Sequence, residues 1–142
     1  MSNAKEILNT FYKKCLTVNP ETNTNEVLGK ILANNFTSNG SVESKTKEQL
    51  IGQIGFFWKL IPDLKWEPQE IVNEGNRYVV RSIATGTPNG DFMGLPTNGS
   101  KSFRIMTIDM HTIENGQVQT VHHLEDWGTG MKQLKEPVLQ AQ

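Results

Sequence analysis

An α+β fold, with three N-terminal helices packed on a strongly curved antiparallel sheet, is the architecture that this 142-residue sequence predicts. Three observations carry it. Apolar residues recur at helical spacing up to Pro62. The period changes to strand alternation after Asp63. The last two alternating runs meet at Asn115-Gly116, a dipeptide whose residues tolerate the positive φ of a tight hairpin turn. Helices first and strands later point away from a doubly wound parallel sheet. A single domain over residues 1–142 is expected at this length, and it can bury a core without disulfides or metal.

The first helix is read from Ile7, Leu8, Phe11, Tyr12, Cys15 and Leu16, with Ser2 or Asn3 as cap and Pro20 as terminator. Val27, Leu28, Ile31 and Leu32 give a second, short helix with Thr24 as its cap. Thr46-Lys47-Glu48-Gln49 is a capping box opening a third, whose inner face holds Leu50, Ile51, Ile54, Phe57, Trp58 and Ile61. Gly52 and Gly55 cost helix stability, which close packing against the sheet would offset. Strands are expected over 64–72, 77–85, 103–113 and 118–127, with Pro68 marking an edge or bulge and Gly86 to Ser100 a loop or irregular hairpin. Glu136 to Gln142 reads as a mobile tail.

The hairpin carries the chemistry. With Asn115 and Gly116 as the loop, Glu114 faces Gln117, Ile113 faces Val118, and regular pairing places Asp109 opposite His122 and Ile105 opposite Asp126. Asp109 and His122 are then cross-strand neighbours with Cβ atoms roughly 5 Å apart, within reach of a carboxylate–imidazole hydrogen bond. Asp126 lies about 13 Å further along the strand from His122, beside Ile105 and Leu124. A carboxylate in that setting has a raised pKa and suits acid/base work. An Asp at a strand end also caps helices, and Gly128-Thr129-Gly130-Met131 can begin one, so a structural reading of Asp126 stands beside the catalytic one. The opposite face mixes Met106, Ile108, Met110 and Val121 with Gln119, His123 and Glu125, a patch that a homodimer would cover. A curved sheet wrapped on helices leaves a cavity, and Phe57, Trp58, Phe92 and Met93, with Ile105, Thr107 and Leu124, are its candidate walls.

Composition excludes several classes. Formal charge is −1 with the signs interspersed, so no basic surface for nucleic acid is expected. Cys15 is the only cysteine, which removes internal disulfides and thiolate metal sites, and its place on a helical stripe makes it an inert core residue. No apolar run is long enough to span a membrane, and no basic-then-apolar leader opens the sequence, so a cytoplasmic protein is expected.

Ile61-Pro62-Asp63-Leu64, Gly86-Thr87, Gly90-Asp91-Phe92-Met93-Gly94-Leu95-Pro96, Ile113-Glu114-Asn115-Gly116 and Asp126 together resemble the SnoaL-like polyketide cyclases of the nuclear transport factor 2-like, cystatin-like superfamily. The resemblance covers nearly the whole chain. It implies a cone-shaped α+β barrel, often dimeric, that closes a polyketide ring by intramolecular aldol chemistry without metal or cofactor. It also implies that an aspartate near the end of the last strand, here Asp126, is the acid/base. Against that pattern, Pro88 stands where a His is usual, Asp109 where many members carry a His, and His122 where they carry a Trp.

The expected function is therefore cofactor-independent acid/base chemistry on a small hydrophobic carbonyl compound. Asp126 abstracts a proton, and His122 held by Asp109 stabilises the enolate. The alternatives are a non-catalytic module binding a hydrophobic small molecule, or a ketosteroid isomerase-like or epoxide hydrolase-like enzyme, the latter with Arg81 or Arg104 as the Arg of an Asp-Arg-Asp arrangement.

Overall fold

A computed structural model describes residues 3–135. The Ser2 cap and the 136–142 tail lie outside the described residues. Helix α1 (Ala4–Thr10) is capped by Asn3, whose side chain accepts from the Glu6 amide at 2.8 Å. It runs into a π-helical turn, Phe11–Cys15. The wider turn carries Phe11, Tyr12 and Cys15 into the interior together. Helix α2 (Thr24–Ile31) is capped by Asn23, one residue before the expected Thr24. Leu32 does not continue it but opens β1 (Leu32–Asn39), a strand the sequence reading missed, followed by β2 (Ser44–Thr46). The capping box at Thr46 is present, and α3 (Lys47–Leu60) follows it.

Strands β3 (Lys65–Glu74), β4 (Arg77–Gly86), β7 (Phe103–Glu114) and β8 (Gln117–Glu125) correspond to the expected ones, except that β8 stops at Glu125 and Trp127 belongs to the following helix; the Gly86–Ser100 stretch holds a small hairpin, β5 (Asp91–Phe92) and β6 (Leu95–Pro96). Helix α4 (Trp127–Lys135) ends the described chain. Six strands form one sheet in the order β2-β1-β8-β7-β4-β3. β1 runs parallel to β8, so the sheet is mixed rather than wholly antiparallel. Pro68 sits on the edge strand β3, where the register shifts between Pro68 and Glu70. Register shifts also interrupt the β1–β8 and β7–β8 ladders, and such bulges bend a sheet.

The inner face of β7 is strictly alternate: Phe103, Ile105, Thr107, Asp109, His111 and Ile113 are all buried, while Met106, Ile108 and Met110 face outward and are at least 38% exposed. The helices cover the inner face, with Leu28, Leu50, Ile54 and Leu60 closing the core against Phe36, Val80, Ala84 and Val121. Among the described residues no helix is long and apolar enough to cross a membrane.

Gly52 and Gly55 of α3 do not serve close packing. A Cβ added at Gly52 or Gly55 would meet nothing within 4 Å. Gly86, at the end of β4, is the tightest of the glycines among the described residues: a Cβ there would lie 2.5 Å from Ile61 Cγ2 and 3.0 Å from the Phe103 ring. Gly86→Ala is therefore expected to lower unfolding stability by about 1–3 kcal/mol through overpacking. Gly52→Ala, exposed and mid-helix, is expected to raise it by roughly 0.5–1 kcal/mol. Urea midpoints at unchanged slope check both.

Candidate active site

The Asn115-Gly116 turn forms as expected, with φ of 54° and 72°, and it pairs Glu114 with Gln117 and Ile113 with Val118. Beyond that the register shifts. Thr112 pairs with Thr120, so Gln119 is an extra residue, and every later partner moves by one. Because side chains alternate faces, the extra residue inverts β8. His123, not His122, stands opposite Asp109, and Glu125 stands opposite Thr107. His122 and Leu124 point outward, Leu124 being 63% exposed, while Val121, expected outside, is buried. The expected Asp109–His122 pair does not exist.

Asp126 is corrected too. Its carboxylate is exposed at the start of α4, where Oδ1 accepts from the Thr129 amide at 3.1 Å and Oδ2 from the Thr129 hydroxyl at 2.7 Å. Those bonds hold its pKa below the ordinary carboxylate value, the reverse of the raised pKa expected in an apolar pocket. It is the helix cap of the structural reading.

A cavity of about 260 Å³ opens between the helices and the inner face. Its apolar wall includes Phe11, Leu50, Ile54, Phe57, Leu64 and Trp66; its polar wall is Asp109, His123, Glu125, Ser38, Gln53 and Glu43. Of the expected walls, Phe57 and Met93 line it. Ile105, Thr107 and Phe92 are buried in the core behind it, where Thr107 accepts from Trp66 Nε1 at 3.0 Å and Phe92 stacks on Phe103. Trp58 instead donates to the Cys15 carbonyl at 2.8 Å. Cys15 is buried, and burial pushes its thiol up to about 12, so it is protonated and inert.

Asp109 is the unusual group. It is 4% exposed, and Tyr12 donates its hydroxyl proton to Oδ2 at 2.5 Å. Burial raises the carboxyl to about 7, against the lowering effect of the Tyr12 bond. Beside it, His123 Nδ1 lies 2.7 Å from Glu125 Oε2. That bond raises the imidazole pKa, against partial burial. A carboxyl poised near neutrality thus faces an imidazole biased toward its cation, on adjacent strands and on one cavity wall. The sequence reading named Asp109 but missed Tyr12, His123 and Glu125. Arg81 is paired with Glu70 at 2.6 Å and Arg104 is exposed; neither lines the cavity, so an epoxide-opening site built on them is not formed.

Comparison with known proteins agrees with this architecture. The family model described as SnoaL-like polyketide cyclase matches residues 6–134. A protein from Jannaschia sp. CCS1, assigned as a SnoaL-like polyketide cyclase, superposes with a TM-score of 0.82 at 20% identity, over 94% of this chain and 92% of its own. A SnoaL-like polyketide cyclase from Agrobacterium tumefaciens gives 0.76 at 21%, over 94% and 99%. IdmH of Streptomyces antibioticus, assigned as a polyketide cyclase, gives 0.78 at 20%, over 93% and 98%. Among curated protein sequences none matches significantly.

Buried Asp109 makes the stability of the fold depend on pH. Its folded-state pKa is raised from 3.8 to about 7, so between those values the folded protein holds a proton that the unfolded chain has released. Its contribution to stability then falls as pH rises through that window. Relative to Asp109→Asn, the wild-type protein is expected to gain stability on acidification from pH 7 to pH 4, with a slope approaching about 1.4 kcal/mol per pH unit. Denaturant titrations of both proteins across that range check it; a constant difference would place the Asp109 titration elsewhere.

Proposed function

The chain belongs to the SnoaL-like polyketide cyclase family, and from that premise we propose that it catalyses cofactor-independent acid/base chemistry on a small, largely apolar carbonyl compound, with Asp109 as the proton-transfer group. The observation that carries the proposal is a carboxyl on a cavity wall, nearly excluded from water, with one oxygen fixed by Tyr12. Its pKa near 7 matches it to proton transfer at neutral pH.

The reaction runs as an internal ring closure. Asp109 carboxylate takes a proton from the carbon next to a carbonyl. The electron pair moves onto the carbonyl oxygen, where His123, biased toward its cation by its bond to Glu125, supplies the donor. The enolate carbon attacks a second carbonyl of the same molecule, and the new C–C bond leaves an alkoxide. Asp109 returns its proton to that oxygen. No atom is gained or lost, and proton abstraction without ring closure uses the same first step. The apolar wall of Phe11, Leu50, Ile54 and Phe57 binds the carbon skeleton and keeps water from the enolate.

The molecule acts as a homodimer through the outer sheet face. Met106, Ile108 and Met110 on β7 lie beside Leu124 on β8, with Ile108 directly opposite Leu124. Four large apolar side chains that are 38–63% exposed form a patch that monomers rarely leave in water. This is the expected patch with Leu124 in place of Val121, as the β8 inversion requires. Light scattering is expected to give twice the 16.0 kDa chain mass, and Leu124→Glu the single-chain mass. A wild-type monomer at micromolar concentration would sink the dimer.

Mass spectrometry of the compound that co-purifies or is captured from candidate carbonyl pools supplies a substrate for the catalytic test. Asp109→Asn is expected to slow exchange of its α-hydrogen with deuterated solvent roughly 10²–10⁴-fold, while Asp126→Asn stays near wild type. Full activity in Asp109→Asn would show that another group transfers the proton and would overturn the role given to Asp109.

A further inference from the structure

Behind Asp109 lies a hydrogen-bond chain that the proton-transfer step does not use. The Tyr12 hydroxyl is 2.5 Å from Asp109 Oδ2 and 2.8 Å from His111 Nε2. Tyr12 is 0% exposed, His111 1% and Asp109 4%. His111 Nδ1 is buried and meets no hydrogen-bond partner among the described residues. The Phe11 ring packs against this imidazole edge-on, with centroids 5.6 Å apart. Burial with no acidic partner lowers the His111 pKa to about 3, so the ring is neutral. Asp109 Oδ1 has no hydrogen bond among the described residues and is not among their sealed, unpartnered polar atoms, so it is the oxygen open to the cavity.

A neutral imidazole carries one proton, on either nitrogen. On Nδ1 it would be a buried N–H with nothing to accept it, whereas a bare lone pair at Nδ1 is the smaller cost. The proton therefore sits on Nε2 and is donated to the Tyr12 oxygen. Tyr12, its oxygen already accepting from His111, directs its own proton at Asp109 Oδ2. That oxygen then receives a proton and cannot also present one toward Tyr12. We propose that His111, acting through Tyr12, is a positioning residue that fixes the transferable proton of Asp109 on the cavity-facing Oδ1. In the reverse polarity, Asp109 would donate to Tyr12 from Oδ2 and Tyr12 to His111 Nε2. The proton would then point away from the substrate, and Nδ1–H would be buried with no acceptor among the described residues. The π-helical turn Phe11–Cys15 is what sets Tyr12 and Phe11 side by side against this ring.

The inference rests on Asp109 as the acid/base, but its test reads the resting protein and needs no substrate. Nitrogen-15 NMR of the wild-type protein between pH 5 and pH 8 is expected to show His111 as a single neutral tautomer, with lone-pair character at Nδ1 and N–H at Nε2. Tyr12→Phe removes the acceptor, so the two tautomers should become mixed. The same variant should raise the Asp109 carboxyl midpoint by roughly one to two pH units, because the charge-assisted bond to the carboxylate is gone. A wild-type Nδ1–H tautomer, or a His111 spectrum unchanged by Tyr12→Phe, overturns the relay while leaving the Asp109→Asn exchange test to decide the reaction itself. A rise in the Asp109 midpoint without any change at His111 also overturns it, since Tyr12 would then act on Asp109 alone.

Discussion

One extra residue in the last strand decides what the cavity contains. Gln119 has no partner between the pairs Ile113–Val118 and Thr112–Thr120, and strand side chains alternate with a period of two. Everything after Gln119 therefore changes face. Val121, His123 and Glu125 turn inward toward Asp109, while His122 and Leu124 turn toward the outer face. Asp126 keeps the last cross-strand bond, its amide donating to the Met106 carbonyl at 3.2 Å, while its carboxylate caps α4. The placement of His123 and Glu125 on the polar wall of the cavity, and of Leu124 in the outer apolar patch, follows from that single insertion.

The second constraint is the cost of burying Asp109. An isolated carboxylate in an apolar interior is expensive, and the group responds by holding its proton to higher pH. Tyr12 opposes that response only in part, by donating to one oxygen. The result is a carboxyl balanced between its two forms near neutrality, where an acid/base group works best. Asp126 is the contrast within the same chain. In water, with two bonds from Thr129, it is held in its charged form and has no tendency to take up a proton near pH 7.

The fold was legible because its signals are local. The Thr46 capping box, the positive φ at Asn115 and Gly116, Pro68 on an edge strand and the alternation of β7 each follow from a few neighbouring residues. β1 was missed because Asn34, Asn35, Thr37, Ser38 and Asn39 give it little apolar alternation; its place is set by pairing with β8 and β2. The candidate site was half legible. Asp109 stood out as a charge on an apolar face, and Asp126 carried its cap signal in Thr129 three residues on. The bulge at Gln119 had no Gly or Pro to announce it, and one missed residue exchanged His122 for His123. Tyr12 meets Asp109 across a separation of 97 residues, a contact no local pattern encodes.

The central claim is that the cavity carboxyl, and not the helix-capping one, is poised for proton transfer. Carbon-13 NMR titration of the aspartate side-chain carboxyls in the wild-type protein tests it most directly. The Asp109 resonance should move with a midpoint near 7, and that of Asp126 with a midpoint below the ordinary carboxylate value. An Asp109 midpoint at the ordinary 3.8 would contradict the account, because a carboxyl that is fully ionised at neutral pH is not balanced for the chemistry assigned to it.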